Sequence, residues 1–90
     1  MLIRAKRIDN LKKKVCEYRD KLVIEHLNNK GYKCDNSRVG MIRVNNLLKS
    51  QFKKVIIERQ NERLSKTGSY YTWEAYIKIR IIDTITGKEV

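Results

Sequence analysis

The sequence predicts an α+β fold: two long amphipathic helices packed on a small antiparallel sheet, built around a C-terminal strand and hairpin at about residues 70–90. Three observations carry this. Ile8, Leu11, Val15, Tyr18 and Leu22 fall at alternating spacings of three and four, which places them on one helical face. Val44, Leu48, Phe52 and Val55 repeat that spacing later in the chain. Tyr71, Trp73, Ala75, Ile77, Ile79 and Ile81 alternate with Tyr70, Thr72, Glu74, Tyr76, Lys78 and Arg80, the period of a strand with one face on a core.

The first helix is expected over about residues 6–30, with Leu27 extending its stripe. Asn28, Asn29, Lys30 and Gly31 read as its end, with Gly31 free to turn left-handed and Tyr32 packing back. Residues 32–44 are ambiguous. Asp35, Asn36 and Ser37 form either a helix N-cap, with a helix starting at Arg38, or a turn between short strands at 32–34 and 39–44. The cap reading is preferred, although Gly40 would cost that helix about 1 kcal/mol relative to alanine.

A second long helix is expected over 45–66. Lys49, Lys53, Arg59, Arg63 and Lys66 would lie on its polar side, and Glu62 and Lys66 would form a supporting pair. Thr67, Gly68 and Ser69 would stop it. After the strand, Asp83 to Gly87 reads as a tight turn and residues 88–90 as the stub of a returning strand. A single long strand is unstable alone. It must pair with 32–44, with the N-terminus or with a second subunit, which together with the small core argues for a homodimer.

Ninety residues without proline or a Gly/Ser-rich stretch make one domain, 1–90, beginning with a basic segment 1–14. That segment carries Arg4, Lys6, Arg7, Lys12, Lys13 and Lys14 against Asp9. Cys16 and Cys34 are too few for a disulfide scaffold. No apolar run reaches the ~20 residues of a membrane span, and no secretory signal opens the chain, so a cytoplasmic protein is expected.

Charge directs the functional reading. Lys and Arg number 21 against 10 Asp and Glu, a formal net charge of +11. A small domain needs only ~2–8 to stay dispersed. The surplus points to a polyanionic partner, nucleic acid first, with duplex DNA favoured over RNA. The residues expected to contact it are Arg4, Lys6, Arg7, Lys12, Lys13, Lys14, Arg19, Arg38, Arg43, Lys49, Lys53 and Arg59. A helix-turn-helix geometry, with 20–31 and 37–48 as its helices and the C-terminal strand as a wing, would aim Arg38, Arg43, Asn45 and Asn46 at base edges. Tyr70 and Tyr76, interleaved with Lys78 and Arg80, could instead form a face on which single-stranded bases stack, although packing of both rings under a helix or in a subunit interface, hydroxyls in water, is the preferred reading.

No catalytic constellation, phosphate loop, metal set or cofactor motif is recognisable. The expectation is a non-enzymatic regulatory or accessory factor, and the Lys, Asn and Ile bias suits a low-GC bacterium, its phage or a mobile element. The competing class is a protein-binding inhibitor or adaptor that docks on an acidic or nucleic-acid-binding surface of a host protein. A membrane-lying basic helix is disfavoured, since Tyr18 and Leu22 are needed for the core.

Overall fold

The computed structural model describes residues 1–90, the side chain of Thr67 excepted. Its elements in chain order are β1 (Leu2–Ala5), α1 (Ile8–Asn29), α2 (Arg38–Ser50), β2 (Lys53–Thr67) and β3 (Tyr70–Asp83). The strands form one antiparallel sheet in the order β1-β3-β2. Both helices lie on one face of it, and the α+β architecture expected from the sequence is the one found.

The first helix ends as its residues dictate. Gly31 has φ +94°. The N–H of Gly31 donates to the Asn28 carbonyl at 3.0 Å and that of Tyr32 to the Leu27 carbonyl at 3.2 Å. This is the bond pair of a Schellman motif, and Tyr32 packs back beside Leu27. The Ser37 cap is also as expected. Its Oγ accepts from Gly40 N at 3.0 Å while donating to the Asp35 carboxylate, which also accepts from Ser37 N.

The helix expected over 45–66 does not exist as such. α2 stops at Ser50, Phe52 turns left-handed at φ +56°, and residues 53–67 are a strand. The β-branched run Val55, Ile56 and Ile57 prefers the pleated surface beside β3, where a 14-residue strand needs a long partner. Lys53, Arg59, Arg63 and Lys66 therefore alternate across a strand instead of sharing a helix face. Gly68 and Ser69 are not a helix stop but a two-residue hairpin loop, with Gly68 at φ +63° in the first loop position. The long hairpin is thus β2–β3, not a C-terminal 70–90 unit. Residues 88–90 do return as a stub, bridged from Glu89 to Ile82. Since β3 finds both partners in its own chain, missing strands no longer argue for a dimer.

Two apolar clusters form one layer. Ile3, Ala5, Leu11, Val15, Ala75 and Ile77 join β1, α1 and β3. Val23 and Leu27 of α1 meet Val44 and Leu48 of α2 over Val55 and Ile81. A bulge interrupts β2 between Gln60 and Arg63, where Asn61 takes φ +55°. Beyond it the hairpin projects as an arm. The radius of gyration is 15.2 Å and the extents 47 × 29 × 18 Å, against ~12 Å for a compact chain of this length.

Candidate nucleic-acid interface

The sheet face turned away from the helices carries the alternate residues of every strand: Arg4 on β1, Tyr70, Glu74, Tyr76, Lys78 and Arg80 on β3, and Glu58 and Arg63 on β2. No helix covers it. Tyr76 is 47 % and Tyr70 60 % exposed, so the tyrosines do not pack under a helix. The outward alternation anticipated for β3 is present, with one exception. Glu74 is only 4 % exposed, enclosed by its neighbours on the flanking strands.

Those neighbours are arginines. Arg4 on β1 and Arg63 on β2 flank Glu74 in register. Arg4 Nε donates to Glu74 Oε2 at 3.1 Å, and Arg63 Nε to Oε1 at 2.8 Å. The Arg63 bond, then that of Arg4, holds the Glu74 carboxyl below its ordinary range, against burial that pushes it up. No hydrogen bond among the described residues uses the Nη groups of either arginine. Arg80 is engaged differently: Nη1 donates to Glu58 at 2.8 Å and Nε to Glu89 at 3.4 Å. Glu58 stands opposite Lys78 in register but bonds Arg80, so Lys78 is in no ion pair among the described residues. Every acid on this face is thus neutralised by an arginine.

The twelve cations expected to contact a polyanion fall into four groups. Arg4 and Lys6 on the open face meet Lys13 and Lys14 of α1 round the β1 edge, with Arg7 beside them at the N-cap position. Lys14 Nζ donates to the Arg4 carbonyl at 2.8 Å, tying the two sides together. Lys12 lies on the other flank of α1, beside Arg59 and Glu62 of β2. Arg38, Arg43 and Lys49 are exposed on α2, a helix without an acid, among Val39 and Ile42 at 77 % and 57 % exposure. Arg19 is held by Asp20 at 2.8 Å, and Lys53 by Asp83 at 3.0 Å. Lys53 is a hairpin-base residue clipping β2 to β3, which removes it from the interface.

Of the remaining acids, Asp9 stands in the first turn of α1 and Glu17 shares the groove of Lys6, Lys13 and Lys14. Glu17, Asp20, Glu25 and Asp35 surround one depression of about 600 Å³ on the outer side of α1, with Lys21 between them. His26 faces the opposite way. Its Nε2 is buried without a hydrogen-bond partner, and burial, followed by Lys30 and Lys53, pushes its pKa down.

Sequence reasoning missed Arg63 as a site residue because it was assigned to a helix, and placed Lys78 on the aromatic face without counting it among the phosphate contacts. The β-branched run at 55–57 and the Gly68 loop were the signals that place Arg63 on the sheet. No helix among the described residues is long and apolar enough to cross a membrane. No family model, curated protein or solved structure matches the chain.

Proposed function

We propose that this chain is a non-enzymatic nucleic-acid-binding protein that engages phosphates along a basic band round the β1 edge. Lys13 and Lys14 form its helix side, and Arg4, Lys6, Arg63 and Lys78 its sheet side. The observation that carries the reading is the surplus of cations along this band: acids on the open face are consumed by Arg4, Arg63 and Arg80, and Asp20, Glu25 and Asp35 gather on the outer side of α1. Asp9 and Glu17 stand on α1 beside the lysines. Phosphate contacts require many cations on one surface and no special chemistry.

Anisotropy of a fluorescein-labelled oligonucleotide, titrated between about 50 and 200 mM salt, tests it. Affinity falls steeply with salt, and the double variant Lys13→Glu/Lys14→Glu weakens binding by about tenfold or more, with a salt slope reduced by about 2. Failure of both single-stranded and duplex oligonucleotides to bind at the lowest salt refutes the reading.

The exposed Val39 and Ile42 on acid-free α2 favour a second reading, a protein-docking module. Loss of all oligonucleotide binding would bring it forward.

A further inference from the structure

We infer that the open sheet face is a stacking site for single-stranded polynucleotide, centred on Tyr76, with the Arg4–Glu74–Arg63 cluster holding a phosphate beside it. This rests on the nucleic-acid reading above and narrows it to one strand state.

Tyr76 sits two residues from Glu74 on β3, a step of ~6.7 Å along the strand. Its cross-strand neighbours in register are Leu2 and Gln60, and the side chain remains 47 % exposed. A half-exposed tyrosine on an uncovered sheet presents a ring to a base. The phosphate beside that base meets two arginines one strand away on either side, each ~4.8 Å from β3. Glu74 fixes both through Nε, so their Nη donors are positioned before any ligand arrives. Glu74 is spent on that task and repels phosphate little. Lys78 lies one step beyond Tyr76 on the same face.

A second ring lies further along. Tyr70 is ~20 Å from Tyr76 by strand rise. Lys6 Nζ stands 5.6 Å from its ring centroid. The face therefore alternates aromatic, cationic, aromatic and cationic groups along one line. Duplex DNA keeps its bases stacked on each other and offers this line only phosphates. A single strand offers both partners.

The test compares labelled oligothymidylate and oligouridylate of about 16 nucleotides with a duplex of the same length, using inorganic polyphosphate as competitor. The single strands bind more tightly than the duplex. Tyr76→Ala weakens single-strand binding by about tenfold or more with an unchanged salt slope, because a stack is lost and no charge is. Tyr76→Phe keeps the ring and keeps the affinity. Polyphosphate binding is the same in all three proteins, and a thermal melt confirms that each is folded. Equal binding of Tyr76→Ala and the parent chain, or a duplex bound as tightly as the single strands, overturns the stacking site while leaving the basic band intact. No binding of any oligonucleotide at low salt overturns both.

Discussion

Replacing Gly40 by alanine tests how the second helix is started. Considered only as a helix residue, the change stabilises by about 1 kcal/mol. The surroundings reverse that sign. Gly40 is buried in the first turn of α2, and a Cβ there falls 2.6 Å from the Asp35 carbonyl oxygen and directly against the Asp35 carboxylate. The carboxylate alone could swing away, but only by leaving the Ser37 N–H and hydroxyl that it accepts from. The carbonyl is backbone and moves only with the loop. Forcing a methyl group into such a space costs about 1–3 kcal/mol. Against the propensity gain, the net is a loss of about 1 kcal/mol, or a fall in Tm of about 4–8 °C for a domain of this size. Urea unfolding followed by circular dichroism reads the midpoint, and an unchanged slope shows that the unfolded state is unaffected. Gly31→Ala is the control: it has nothing within 4 Å, and its cost of about 1 kcal/mol comes from φ +94° alone. A Gly40→Ala variant with a raised midpoint refutes the packing argument.

Other outcomes follow from the same geometry. Leu27→Ala empties a fully buried site between α1 and α2 and costs about 2–5 kcal/mol, read as a lower urea midpoint. Ser37→Ala removes the cap of α2 at about 1 kcal/mol, visible in the same measurement. His26 has a folded pKa below its ordinary 6.5, so its contribution is present above that pH and is lost as pH falls beneath it. His26→Gln therefore flattens the stability profile just below pH 6.5. Glu74, bonded to Arg63 and Arg4, has a folded pKa below its ordinary 4.5. Its contribution is complete above that value and is lost as pH falls through the depressed one. The urea midpoints of Glu74→Gln and the parent chain accordingly differ at neutral pH and converge in acid.

The legible parts of the fold are those with local signals. The three-and-four spacing of α1, the Gly31 exit, the Ser37 cap and the alternation of β3 each involve residues close in sequence. The end of α2 has no such signal, because Phe52 takes the left-handed turn where no Gly or Pro stands. β2 disguised itself further: Val55 and Ile57 are in phase, but Leu64 is not, so the apolar residues imitate a helical spacing. The candidate interface was half legible. Its edge residues, Lys6, Lys13 and Lys14, belong to the N-terminal basic run. The sheet side depends on strands distant in sequence, where Arg4 and Arg63 meet over Glu74, and only the pairing of three strands brings them together.

The bulge at Asn61 decides which sign of charge faces Glu74. Were the register of Gln60 carried on without a bulge, the side chain opposite Glu74 would be that of Glu62, and two carboxylates would confront each other on adjacent strands. The inserted residue advances the frame of the arm by one, so an arginine arrives instead. A single-residue deletion there would leave Arg63 opposite Glu74 without any kink, so the bulge is needed only because one residue too many separates Gln60 from Arg63.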